Sequence, residues 1–178
     1  MDIKLRRVTI NDAVVLSEIA KQTFADTFKN TCTEDDMNLF LQQYFNTAQL
    51  EAELRDEDDF CFFAEADNTP VGYVRFKEDN DSFEAARPWK SLELKRIYVL
   101  KEYKGQGVAQ QLMNLVLEYA TQQQYELVFL GVWEHNMRAR HFYEKYGFDN
   151  AGYMHDFPIG NTPQRDCWYW KQLAPKVS

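Results

Sequence analysis

One stretch constrains the fold more than any other: Leu92 to Tyr119, LELKRIYVLKEYKGQGVAQQLMNLVLEY. It reads as a strand, a tight glycine turn and a long amphipathic helix, with Val108, Leu112, Leu115, Val116 and Tyr119 at helical spacing. The turn, Lys104-Gly105-Gln106-Gly107-Val108-Ala109, places two glycines where the strand hands over to the helix. Glycine takes positive φ without steric cost and lets a ligand approach the backbone. The helix start beyond it offers unpaired N–H groups and a partial positive charge, so this corner suits an anion such as a phosphate.

The segment after the helix fixes the class. Glu126 to Trp133 (ELVFLGVW) is an almost continuous apolar run, the pattern of a buried parallel strand. Strand, helix and strand make a βαβ unit with a right-handed crossover. Before it, Ile3 to Val8 alternates as a first strand. A helix then starts at Asn11 or Asp12 and runs to about Phe28, with Val14, Val15, Ile19 and Ala20 as its apolar positions. Thr33 opens a second helix with Met37, Phe40, Leu41 and Tyr44 on one face, and Thr47 caps a short third segment. Phe60–Ala66 and Val71–Lys77 form a hairpin around Asp67–Pro70. Glu78 to Pro88 reads as a surface loop. In the Leu92–Val99 strand, simple alternation puts Leu92, Leu94 and Arg96 on one face and Glu93, Lys95, Ile97 and Val99 on the other. Asn136 begins a helix that stops at Gly147. Phe148–His155 and Asp166–Leu173 close the fold as antiparallel strands around the Pro158–Gln164 loop. The expected result is a single α/β domain over residues 1–178, a mixed twisted sheet of about seven strands flanked by about four helices.

The net charge of −8 argues against a nucleic-acid surface, which needs a basic face. It is compatible with a cationic substrate, or with solubility alone. Three scattered cysteines, Cys32, Cys61 and Cys167, have no metal-binding or disulfide spacing, so no metal and a cytoplasmic location are expected. No signal peptide and no membrane-spanning run is legible.

Two motifs then carry a resemblance. The turn K-G-Q-G-V-A resembles the acetyl-CoA pyrophosphate loop of the GNAT superfamily of N-acetyltransferases, Q/R-x-x-G-x-G/A. Asn136 to Phe148 (NMRARHFYEKYGF) resembles the second signature, N-x-x-A-x-x-F-Y-x-x-x-G-F. The two occur in family order, one apolar strand apart, and the likeness spans the whole chain. T-F-x-x-T-F near Thr23 to Phe28, the S-L-E-L-x-R-I-Y-V strand and L-G-V-W-E-x-N from Leu130 are similar to PaiA-type bacterial polyamine N-acetyltransferases.

The resemblance implies the GNAT fold, with acetyl-CoA as co-substrate and no metal. It also implies direct transfer of the acetyl group to a primary amine in a ternary complex. The acceptor would be a polyamine such as spermidine or spermine. The alternatives are a protein N-terminus, a lysine or another small amine, or a non-catalytic acetyl-CoA-binding regulator. It assigns the pyrophosphate to Gly105, Gln106, Gly107, Val108, Ala109 and Gln110. Lys104 stands where the family has Arg or Gln, keeping the charge and losing the planar fork. Ile97, Tyr98 and Val99 would offer backbone groups to the pantetheine arm and acetyl carbonyl. Asn136 would contact the same arm, and it also suits a helix N-cap. Tyr143, two turns on along the same helix face, would be the general acid for the leaving thiolate, or else a half-buried packing aromatic.

For the base, the family's nearest carboxylate position holds Lys95, which leaves Glu93, acting through water, as the candidate; its plainer reading is a carboxylate paired with Lys95 or Arg96. Substrate would enter beside the N-terminal helices. Glu34, with Asp35, Asp36 and Asp56 to Asp59, would meet separated ammonium groups, and Phe24, Phe28, Tyr44 and Trp133 would line the apolar wall. The same acidic residues also suit a solvated helix start and loop. The aromatic last strand, Cys167–Trp170, is the candidate contact for a homodimer.

Overall fold

The computed structural model describes residues 2–79 and 81–173. Seven strands form one mixed sheet: β1 (Lys4–Arg7), β2 (Asp59–Ala66), β3 (Thr69–Glu78), β4 (Ser91–Val99), β5 (Leu127–Trp133), β6 (Asp149–Asp156) and β7 (Arg165–Gln172). Their order is β1-β2-β3-β4-β5-β7-β6. β4 and β5 run parallel, and the other neighbours run antiparallel. The helices are α1 (Ala13–Thr27), α2 (Glu34–Tyr44), α3 (Thr47–Arg55), α4 (Val108–Gln122) and α5 (Met137–Lys145).

α4 makes the crossover from β4 to β5. Its buried Leu112, Met113 and Val116 pack with Val74, Phe76, Leu92 and Leu94. On the opposite face Leu16, Ala20, Phe24, Phe40 and Leu50 cover Phe63 and Tyr73. Each large apolar side chain so buried contributes about 1.5–3 kcal/mol.

Several local expectations shift. α1 is preceded by a 3-10 turn over Ile10–Asp12, so its inward residues are Ala13, Leu16, Ile19, Ala20, Thr23 and Phe24. Val14 and Val15 are exposed. Thr33 caps α2 as expected, accepting from the Asp36 N–H at 3.1 Å, but α3 is capped by Asn46, whose side chain accepts from the Gln49 N–H at 2.9 Å. The hairpin turn is only Asp67-Asn68, both at positive φ, as a two-residue type I′ turn requires. The segment expected as a surface loop buries Phe83, which stacks on Trp168 at 4.9 Å and covers the β5–β7 part of the sheet.

The consequential departure lies in β4. Arg75 pairs with Arg96 and Phe76 with Leu94, so Lys95 is the extra residue of a β-bulge. The bulge resets the alternation. Leu92, Leu94, Ile97 and Val99 share the α4 core, while Tyr98 joins the α1–α2 core and Arg96 lies over the Phe45 ring. Glu93 and Ile97 therefore do not share a face. Beneath the bulge Glu53 takes the Arg96 guanidinium at 2.8 and 3.0 Å, and Asp59 takes that of Arg75 at 2.6–3.1 Å.

The β4–β5 ladder is short. Ser91–Glu93 pair with Leu127–Phe129, and beyond that point the strands part. From there β5 keeps β7 as its partner as far as Trp133–Asp166. β7 lies between β5 and β6, with Trp168 and Tyr169 buried, so the last strand has no free edge for a second copy.

Candidate active site

The parting of β4 and β5 opens a cleft of about 900 Å³. Its floor is Leu94–Val99 on one side and Gly131–Trp133 on the other. α5 and the glycine turn border one end. Phe28, Phe157 and Asp166 border the other, and Asp26 is near enough to Lys104 for its charge to act on it.

At the glycine-turn end, Gly105 and Gly107 have φ of +82° and +86°. A Cβ added to either would meet open space, so both glycines are there for the backbone conformation. Gly107 is the α4 N-cap residue, and the N–H groups of Gly105 to Ala109 have no acceptor among the described residues. They are the free donors of a helix start. The Gln106 side chain is turned back, donating to the Glu102 carbonyl at 2.8 Å. Val108 is buried in the core, and Gln106, Gly107 and Val108 are not among the residues that line the cleft. Lys104 lines the cleft with Arg138, His141 and Lys145. Desolvation by the surrounding protein, then the nearby Arg138, lower the Lys104 pKa, and the charge of Asp26 only partly offsets them. A rim of positive charge on a chain of net charge −8 is a local inversion suited to phosphates.

Between the ends sit the second-signature residues. Asn136 caps α5, accepting from the Ala139 N–H at 3.1 Å, and also lines the cleft, so both readings of it hold as geometry. Tyr143 is buried at its ring, lines the cleft, and has no hydrogen-bond partner for its hydroxyl among the described residues. Its pKa is raised by burial first, then by Tyr98 and Asp166, which keeps the phenol protonated. Ile97, Tyr98 and Val99 form the floor opposite.

The other end is aromatic. Phe28 contacts Trp133 at 5.2 Å and Phe157 at 6.2 Å between ring centroids. The Trp133 indole donates to Gln164 at 2.8 Å, and Gln164 donates to the Thr31 carbonyl at 3.0 Å. These bonds tie β5, the β6–β7 loop and the loop after α1 together.

Several expected residues are not brought to this end. Phe24 is buried in the core beneath α1, outside the cleft lining. Glu93 pairs with Lys95 at 2.6 Å and accepts from Ser82 at 2.7 Å. It stands level with Phe129, where the strands are still joined, outside the cleft lining. Glu34 is exposed and also outside the lining. Tyr44 is exposed on α2. Of the other acidic residues, Asp36 holds the Asn161 N–H at 2.8 Å and Thr162 at 2.6 Å, Asp56 holds Lys77 at 2.6 Å, and Asp35, Glu57 and Asp58 are exposed. Among the described residues, no group of three or more His, Cys, Asp or Glu is placed to hold a metal. None of their helices is long and apolar enough to cross a membrane.

This arrangement has known relatives. Residues 19–148 match the Acetyltransferase (GNAT) family. The chain belongs to that family. It is 31% identical over 172 residues to an uncharacterised N-acetyltransferase of the pepI 3′ region of Lactobacillus delbrueckii subsp. lactis, covering 97% of this chain and 98% of that protein. An uncharacterised N-acetyltransferase of Mycobacterium tuberculosis is 30% identical over 165 residues, covering 93% of this chain and all of that one. In fold it is similar to the PaiA N-acetyltransferase of Thermoplasma acidophilum solved with coenzyme A. That likeness has a TM-score of 0.78 at 21% identity and covers 97% of this chain and 100% of that one. A GCN5-related N-acetyltransferase of Rhodopseudomonas palustris aligns at a TM-score of 0.76 and 17% identity, covering 97% of both chains.

As a GNAT member the protein is an acetyl-CoA-dependent acyltransferase with the family's mixed seven-stranded sheet. Besides the exposed Asp26, its cleft contains one carboxylate that the motifs do not mark. Asp166 on β7 is buried, lines the cleft, and has a pKa pushed up to about 7 by burial. A sequence signal for it exists. In DCWYWKQL, Asp166 alternates with Trp168 and Trp170, so a carboxylate falls on the strand face that those tryptophans occupy.

Proposed function

We propose that this GNAT acetyltransferase acetylates the primary amine of a polyamine of the spermidine and spermine type, in a complex holding both substrates. Acetyl-CoA, when bound, supplies an activated acyl thioester. The Gly105–Gln110 backbone and Lys104 hold the pyrophosphate at the α4 N-terminus. Ile97–Val99 and Asn136 align the pantetheine arm along the gap between β4 and β5. The Val99 N–H polarises the acetyl carbonyl. Tyr143 donates its proton to the leaving sulfur. Phe28 and Trp133 wall the acceptor's methylene chain. Two buried, free thiols at Cys61 and Cys167 fit a reducing cytoplasm.

The observation that carries this reading is the shape of the cleft. A cation-rimmed helix start opens at one end and an aromatic recess with a carboxylate at the other, and Tyr143 lies between them. One further observation favours a smaller acceptor, a monoamine. Asp36, Asp56 and Asp59, which a polyamine could use for its distal ammonium groups, are engaged by internal partners, and Glu34 is off the cleft.

A thiol-release assay with acetyl-CoA separates these readings. Spermidine and spermine are expected to give kcat/KM at least tenfold above n-butylamine, amino acids and basic peptides. Equal rates for butylamine would replace polyamine by monoamine. CoA binding without thiol release on any amine would make the protein a sensor.

A further inference from the structure

Asp166 is held in an unusual setting. It is cross-strand from His155 on β6 and from Trp133 on β5. Its Oδ1 is buried without a hydrogen-bond partner among the described residues, and its Oδ2 lies 3.8 Å from the His155 Nε2. The His155 ring stacks on Trp168 at 4.1 Å. The space for this pair is made by Gly131. A Cβ there would lie 2.9 Å from the His155 Cε1 and 3.2 Å from the Asp166 Oδ2. Each of these contacts is closer than packed carbon atoms and oxygens ordinarily sit.

The groups facing this carboxylate carry no compensating positive charge. Tyr98 of β4 and Tyr143 of α5 are phenols whose pKa values burial raises. Burial also raises the thiol of Cys167, next along β7, and lowers the pKa of His155, which leaves the imidazole neutral at pH 7. Arg96 is bidentate to Glu53. Arg165 reaches toward Glu134 at 3.3 Å. A buried carboxylate with an idle oxygen, lining a cleft and paired with no Lys or Arg among the described residues, is costly in the empty protein. A cation entering the cleft relieves that cost.

We propose that Asp166 is the residue that receives the acceptor's ammonium group and acts as its general base. His155 and Gly131 are positioning residues: the imidazole walls the carboxyl on one side and the glycine leaves it room. This rests on the reading of the protein as an amine acetyltransferase. The step is a single proton transfer. An R–NH3+ group loses one proton to the Asp166 carboxylate, giving R–NH2 with a free lone pair and a neutral carboxylic acid. That acid returns its proton to water when product leaves. A carboxyl that titrates near 7 is matched to this task at neutral pH, because a base poised at the operating pH balances availability against strength.

The test is a 13C NMR titration of the Asp166 carboxyl in the CoA-bound protein, assigned with Asp166→Asn and repeated with spermidine and with n-butylamine. The expected free value is near 7, with a fall of at least half a pH unit on adding amine. Asp166→Asn is expected to keep CoA affinity within twofold and to lose at least 100-fold in kcat/KM. Gly131→Ala, which crowds the same carboxyl, is expected to lose at least tenfold while also binding CoA normally. A titration that neither amine moves overturns the proposal, as does a variant at Asp166 that keeps the wild-type rate and pH profile. A carboxyl that moves with amine in a protein that transfers no acetyl group would sink the acetyltransfer reading and leave the ammonium site standing.

Discussion

The two ends of the cleft are built on different principles. The glycine-turn end is made of backbone: free N–H groups from one short run of sequence, with a surrounding rim of Lys104, Arg138 and Lys145. The acceptor end is made of side chains from distant parts of the chain, Phe28, Trp133, Phe157 and Asp166, held together by the Trp133–Gln164–Thr31 bonds. A backbone site tolerates many side chains and needs only the φ angles that glycine allows. A side-chain site depends on every contact that places it. The first can serve one invariant ligand, whereas the second can change its acceptor by changing single residues.

The sharpest break between the ends comes from Tyr143→Phe. It keeps the packing and removes the proton, so kcat should fall about 10²- to 10⁴-fold with CoA affinity unchanged. A fall below fivefold in a thiol-release assay would remove Tyr143 from the chemistry.

Next in size is a stability effect confined to the acceptor end. The Asp166 pKa is raised from 3.8 to about 7 by burial. The folded state therefore binds this proton more tightly than the unfolded state does. The resulting stability is full below about pH 4 and is lost as pH rises through about 7. Asp166→Asn abolishes that loss. Denaturant unfolding at pH 8 should find the variant more stable than wild type by about 2–4 kcal/mol, with little difference at pH 4. A variant less stable than wild type at pH 8 would mean that the carboxylate has a cation partner in the folded protein.

At the backbone end, Gly107→Val forces a β-branched residue to φ near +86°, which costs about 1–3 kcal/mol. CoA affinity measured by calorimetry should weaken about tenfold or more, while the Asp166 titration stays as it was. The smallest effect is that of Lys104→Ala. Lys104 is exposed, so its removal should weaken CoA binding about two- to fivefold, and the difference should shrink in 0.5 M salt.

The same contrast explains what the sequence discloses. The βαβ unit, the glycine turn, the α5 cap and the seven-strand sheet are local patterns, readable from spacing alone. The assignment of Glu93 rests on unbroken alternation along β4. The bulge at Lys95 breaks it, and nothing in LELKRIYV announces an extra residue. The acidic residues near the N-terminal helices give a correct charge count and a misleading location. Their partners, Asn161, Thr162, Lys77 and Arg75, lie far along the chain or on another strand. Asp166 leaves only its alternation with Trp168 and Trp170 in the sequence, and a single carboxylate in an aromatic strand gains meaning once Gly131 and His155 are placed beside it.

The central claim is that both ends are occupied at once and the acetyl group passes directly between them. No cysteine lines the described cleft to carry it. Initial rates measured over a grid of acetyl-CoA and spermidine concentrations test this most directly. The account predicts double-reciprocal lines that intersect, the pattern of a ternary complex. Parallel lines, the mark of an acetylated enzyme formed before the amine binds, would contradict it.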